Sequence, residues 1–250
     1  MRRLALLTLS LLVAACSSDV QLTSGKEFVS ARDEAGLRPI DADIARIAAV
    51  EPNLHFPARI GVARIVNGSL SLPSAAEGEM LAEVGARHAA LGDFVQVSPL
   101  IASMVTERAP DGLAPDRYHN RSGNVVQDIR KTAARQHLDY VLIYEIGARS
   151  RTRDTPFALA DVTLIGGMFL PTRNIRVAGV GQAIFLDVRT GYPYGTAQAT
   201  TDLSALGRSF GNYRREEHLR EKAADKVFAA LVPEVEAMIA KLRTETTARK

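Results

Sequence analysis

Leu138-Asp139-Tyr140-Val141-Leu142-Ile143-Tyr144-Glu145-Ile146 is the stretch on which the fold turns. Its apolar character is nearly continuous, without the alternation of a strand that has one face in water. It therefore predicts a strand covered on both faces at the centre of a sheet. A helix runs straight into it, because Val125, Val126, Ile129 and Ala133 mark one face at helical spacing and the pattern ends near His137.

Upstream, Arg59-Ile60-Gly61-Val62-Ala63-Arg64-Ile65-Val66 is rich in β-branched residues and is ended by the turn dipeptide Asn67-Gly68, so it reads as the first strand of the folded body. Met80, Leu81, Val84, His88 and Leu91 then recur at helical spacing behind Glu77 and Glu79, with Gly92 as the stop signal. Phe94-Val95-Gln96-Val97-Ser98 reads as a second strand closed by Pro99. The order up to the central strand is β-α-β-α-β. Residues 102–124 form a long polar connection, and connections of that length inside a compact domain are usually functional or mobile.

Downstream the pattern changes to consecutive strands, Ala158 to Phe169 and Val177 to Val188. The second has a two-residue period: Ala178, Val180, Ile184, Leu186 and Val188 share one face, interrupted by Gln182, and Gly179, Gly181, Ala183, Phe185 and Asp187 share the other. A face of Gly and Ala suits close packing by a helix better than a membrane hairpin, whose strands alternate apolar with polar residues. Thr190-Gly191 turns the chain and Tyr192 to Thr201 returns as a partner strand. Leu219, Ala223, Val227, Leu231, Val235, Met238 and Leu242 mark a helix from about Tyr213, in which Pro233 predicts a kink or the start of a second short helix. The fold class is α/β in the α+β sense, a mixed β-sheet flanked by helices and closed by a C-terminal helix.

The first residues decide location. Arg2 and Arg3 precede an apolar run from Leu4 to Ala15, which reads as an export signal and is too short to span a bilayer, a task needing roughly 20 apolar residues. Val13-Ala14-Ala15-Cys16 resembles the lipobox of bacterial lipoproteins, and Cys16 is the only cysteine of the chain's 250 residues. The resemblance implies removal of residues 1–15, lipid attachment at Cys16 and, with Ser17 next, sorting to the outer membrane with the body facing the periplasm. Without another thiol there is no internal disulfide. Residues 16–56, polar and broken by Gly25, Gly36, Pro39 and Pro52, read as a lipid-anchored tether with an r.m.s. span of roughly 35 Å if fully flexible. Asp41 is a candidate N-cap for a short helix carrying Ile44, Ile47 and Ala48. The folded domain then covers 57–243, and 244–250 read as a frayed tail.

No catalytic, cofactor or metal constellation stands out: there is no G-x-S-x-G elbow, the five histidines lack H-E-x-x-H spacing, and no phosphate-binding G-x-x-x-x-G-K-[ST] loop is present. The formal charge of +3 includes Arg2 and Arg3 of the leader, so the body is nearly neutral and no nucleic-acid partner is implied. His88 reads as a hydrogen-bonded core histidine, His137 as an imidazole meeting free carbonyls at a helix end, and Asp187 with Arg189 as a surface pair. Arg117, Tyr118, His119 and Arg121 in the long connection are the candidate partner surface, since Arg and Tyr are residue types that anchor interfaces.

The succession of these strands and helices, ending in Asp187-Val188-Arg189-Thr190-Gly191 after a long strand, is similar to the periplasmic domain of curli-secretion CsgG-like lipoproteins and of LpoB-type activators of cell-wall synthases. The resemblance covers roughly residues 57 to 205. It implies a non-enzymatic envelope lipoprotein that binds a protein partner in envelope assembly, secretion or cell-wall maintenance. An oligomeric secretion-channel subunit, and a periplasmic hydrolase using the 102–124 connection as a lid, are the alternative readings.

Overall fold

The computed structural model describes residues 16–34, 42–105, 121–154, 173–207 and 212–248. Among the described residues seven strands form one mixed sheet. In chain order the strands are β1 (Cys16–Val20), β2 (Ala58–Val66), β3 (Ser69–Ser71), β4 (Gly92–Gln96), β5 (Tyr140–Asp154), β6 (Arg173–Asp187) and β7 (Pro193–Gly207). The described helices are α1 (Gly25–Glu34), α2 (Ala42–Ala48), α3 (Ala75–Arg87), α4 (Pro99–Val105), α5 (Arg121–Arg135) and α6 (Asn212–Ala248). The spatial order is β1-β7-β6-β5-β2-β3, with β4 also on β2, so the apolar stretch that begins at Leu138 does supply an interior strand. Tyr140 to Tyr144 are buried without a break. Ala158 to Phe169 lie outside the described residues.

One edge of β2 carries two neighbours. Its first half pairs in parallel with β4, Ala58 opposite Gly92 through Val62 opposite Gln96, and its end pairs antiparallel with β3, Val66 opposite Ser69. Asn67 and Gly68 both have positive φ, 51° and 73°, as a two-residue type I′ hairpin turn requires. Gly92 is not the helix stop that the sequence suggested. It is the first residue of β4, with φ 115° and ψ −153°, a region open essentially to glycine, and a Cβ there would fall 2.0 Å from the Ala58 carbonyl oxygen. His88 ends α3 instead. Pro99 likewise opens α4 rather than closing a strand, where its missing N–H costs nothing, so the connection before α5 is shorter than 102–124.

The chain divides into two compact units. The described residues of the first are 18–34, 42–105, 121–144, 183–196 and 235–248. Val125, Ile129 and Ala133 of α5 pack with Ala63, Val141 and Leu186 in its core, each fully buried Val, Ile or Leu side chain contributing about 1.5–3 kcal/mol. Beneath α3, Glu77 is buried and its carboxylate serves three groups through Oε2: it accepts the Ser74 N–H at 2.9 Å and the Tyr144 hydroxyl at 3.3 Å, and it lies 3.1 Å from Arg64 Nε. Ser74 completes the capping box by accepting the Glu77 N–H. Tyr140, Phe185 and Tyr194 form an aromatic cluster with ring centroids 5.5–6.0 Å apart. The two tyrosine hydroxyls fasten the segment before β2, since Tyr194 accepts the Asn53 N–H at 3.0 Å and Tyr140 accepts that of His55 at 2.9 Å.

The described residues of the second unit are 16–17, 145–154, 173–182, 197–207 and 212–234. Here the Gly-Ala face of β6 receives α6: Gly179 lies against Ala223 and Val227, and Gly181 against Leu231. The opposite face at Ala178, Val180 and Gln182 is exposed. Ser150, Glu216 and Arg220 form a polar cluster in which the Arg220 guanidinium donates to both oxygens.

Three further expectations are corrected. Residues 16–20 are not a leash: β1 is hydrogen-bonded into the sheet as its edge strand beside β7, Gln21 N–H donates to the Tyr194 carbonyl at 2.8 Å, and Lys241 Nζ donates to the Ser18 carbonyl at 2.6 Å. Helix α6 runs through Pro233 without a second start, because Pro233 and Ala229, whose carbonyl loses its N–H partner, are both exposed to water. Nor is 244–250 frayed as a whole, since α6 continues to Ala248 and Thr246 returns its hydroxyl to the Leu242 carbonyl at 2.7 Å.

Candidate functional site

The turn that follows β6 is built around a buried carboxylate. Asp187 is 6% exposed, and its Oδ1 accepts the N–H groups of Arg189 at 2.8 Å and Thr190 at 2.7 Å, while Oδ2 accepts the Tyr194 hydroxyl at 3.4 Å. Such bonds offset the cost of burying the charge. This overturns the surface-pair reading: the Arg189 guanidinium reaches Asp139 Oδ1 at 3.1 Å instead. The buried hydroxyls beside it hold their protons. Desolvation pushes Tyr140 up to about 12, and desolvation together with the Asp187 charge raises Tyr194.

Helix α5 braces this turn with one side chain. Arg130 sits at the margin of the buried Val125-Ile129-Ala133 face and donates Nε to the Val188 carbonyl at 3.2 Å, Nη2 to the Arg189 carbonyl at 3.0 Å and Nη1 to Gln127 Oε1 at 3.0 Å. Those three acceptors are all neutral. The guanidinium lies against Gly191, at φ 76°, where a Cβ would come within 2.8 Å of Arg130 Cζ.

The facing wall comes from the N-terminal helices. Tyr192 donates its hydroxyl to the Thr23 carbonyl at 3.0 Å, and Gln21 Nε2 donates to the Pro193 carbonyl at 2.9 Å, which fix the approach to α1. Glu51 caps α1 at long range, accepting the Lys26 N–H at 3.0 Å and the Ser24 hydroxyl at 3.2 Å; these bonds, the Lys26 N–H first, hold its carboxyl below the usual carboxylate range. Helix α2 packs on α1 and presents Arg46 and Ile47 beside Phe28.

Between these walls is a cleft of about 820 Å³, within the size range of ligand sites. Its lining combines apolar surface from Phe28, Ile47, Val50 and Tyr192 with two cations, Arg46 and Arg130, and among the described residues it contains no carboxylate. Ile47 is 68% exposed and Phe28 43%. The arrangement can bind and orient an anionic, partly apolar group. A smaller groove of about 480 Å³ runs between α3 and β4, walled by Gly78, Ala82 and Gly85.

Of the residues singled out in the sequence, Cys16 opens β1. Arg117, Tyr118 and His119 lie outside the described residues, and Arg121 is the first residue of α5, described in its backbone alone. His88 is a hydrogen-bonded, partly buried histidine as expected, its Nε2 3.1 Å from Glu236 Oε1, which also accepts Arg87 Nε at 2.9 Å. At the end of α5 the free carbonyls of Gln136 and His137 are met by the Arg59 guanidinium, at 3.0 and 3.3 Å, while His137 itself is exposed with φ 56°. Among the described residues no group of His, Cys, Asp and Glu is placed to hold a metal ion. In the sequence the cleft is marked only by the turn Asp187–Gly191, and its cations Arg46 and Arg130 carry no pattern of their own.

No protein-family model matches the chain, and no curated protein matches its sequence. Among solved structures the chain is similar to lipoprotein GNA1162 from Neisseria meningitidis, with 16% identity over 68% of this chain and 98% of that one and a TM-score of 0.32. It is similar also to a PelC dodecamer from Paraburkholderia phytofirmans, with 14% identity over 72% of this chain and 89% of that one and a TM-score of 0.26. The third is the hypothetical protein CT253 from Chlamydia trachomatis, with 14% identity over 73% and 95% of the two chains and a TM-score of 0.29.

Proposed function

We propose that this protein is a non-enzymatic lipoprotein of the bacterial envelope, anchored through acylated Cys16 in the outer membrane, whose periplasmic body binds a protein partner. The observation that carries the reading is the position of Cys16 at the first residue of β1. The strand it opens belongs to the sheet, so acyl chains on that residue hold the folded body at the bilayer surface without a flexible leash. Each buried methylene of such a chain contributes about 0.8 kcal/mol, and two chains anchor stably. The basic and apolar cleft beside the Asp187–Gly191 turn supports binding as a task of the body. The test is crosslinking in cells followed by capture of the wild-type chain and of Cys16→Ser. An envelope protein captured by the wild type and lost from the variant supports the proposal; identical captures, or none, count against it.

A further inference from the structure

We infer that the cleft between the Asp187–Gly191 turn and helices α1 and α2 is the docking site for an acidic segment of the partner protein that also carries aliphatic side chains. This deepens the proposed function and rests on it. Arg130 is half-buried, and each of its hydrogen bonds goes to a neutral oxygen, so its charge has no carboxylate partner among the described residues. A guanidinium has five N–H donors, and among the described residues three are engaged, leaving two for a ligand. The three internal bonds and the close seat on Gly191 also fix its orientation in advance, which lowers the ordering cost of binding.

Arg46, on the facing wall, is exposed; its own partner Asp43 is 3.4 Å away and outside the cleft. A pair of solvent-exposed charges of that kind holds its members weakly, so Arg46 is available to a second carboxylate. Ile47 and Phe28 lie beside it as apolar surface. Two cations with no lining anion among the described residues, next to exposed aliphatic and aromatic carbon, match alternating carboxylates and aliphatic groups, and mismatch a basic or purely apolar segment.

The test uses the purified full chain and three short fluorescent peptides of equal length that alternate leucine with glutamate, glutamine or lysine. The glutamate peptide is expected to bind, more weakly as salt is raised. Its affinity should fall about tenfold in Arg46→Glu and in Arg130→Gln and stay unchanged in Lys222→Glu, an exposed site on α6. Arg46 has no structural task beyond its surface pair, so Arg46→Glu remains decisive if Arg130→Gln fails to fold. Equal binding of the glutamine peptide, no binding of the glutamate peptide, or an Arg46→Glu chain that binds as the wild type does would overturn the assignment. So would Arg46-dependent self-association in place of peptide binding, or Arg46-dependent capture of phosphatidylglycerol micelles in preference to the peptide. A partner crosslinked in cells to another face sinks this inference and leaves the anchored lipoprotein standing; failure of acylation does the reverse.

Discussion

Gly179 and Ala223 bring strand β6 and helix α6 together at backbone distance: a Cβ on Gly179 would fall 3.0 Å from the Ala223 carbonyl oxygen. Val227 Cβ would be 3.4 Å away, so a larger residue has nowhere to go. Gly179→Val is expected to destabilise the protein by about 1–3 kcal/mol through overpacking. Val180→Thr, on the exposed face of the same strand, should stay within about 0.5 kcal/mol. Urea denaturation at constant m-value separates the two.

Glu77 joins a helix cap, a cation and a phenol in one buried carboxylate. Glu77→Ala removes all three and leaves Arg64 without its anion, with an expected cost of about 3–5 kcal/mol. Ser74→Ala removes the cap bond alone and should cost about 1 kcal/mol. If the Arg64 charge is what makes the loss large, Glu77→Ala with Arg64→Met is less destabilised than the sum of the single changes.

Stability should fall in alkali. Tyr140 keeps its proton up to about pH 12 when folded but ionises near its ordinary 10.0 when unfolded, because burial disfavours the phenolate. Tyr144 is raised by desolvation and then by the Glu77 charge, and Tyr194 by desolvation and then by Asp187. A raised folded value means that the unfolded chain releases protons first, so the contribution is intact below pH 10 and is lost as pH climbs toward 12. The slope is about 1.4 kcal/mol per pH unit for each tyrosine. The urea midpoint measured across this window should drop, and less steeply in Tyr140→Phe.

Gly191 serves both the turn and the cleft. Gly191→Ala places a side chain at φ 76°, at a cost of about 1–2 kcal/mol, and pushes the Arg130 guanidinium off its seat. The variant should melt lower and lose glutamate-peptide binding together, whereas Arg46→Glu should lose binding with an unchanged melting temperature.

Much of the fold was legible because it rests on local periodicity. The unbroken apolar run through Tyr140–Tyr144, the Val125-Ile129-Ala133 face and the Gly-Ala face of β6 all sit where their patterns require. What the sequence hid depends on distant partners. Cys16–Val20 is polar and short, and it is a strand because β7 lies beside it. Helix α1 is capped by Glu51, many residues downstream. Gly92 and Pro99 are terminators in isolation, yet one begins a strand against Ala58 and the other begins a helix. The cleft was illegible for the same reason, since Arg46, Arg130 and Gly191 are far apart along the chain and each looks ordinary alone.

Cys16 is the residue on which the account depends, and its chemistry can be read directly. Cells grown with an alkyne-bearing fatty acid should yield a mature product that carries the label, sediments with membranes and loses both properties in Cys16→Ser. A mature product without label, or one released by lysis in the absence of detergent, would contradict the account.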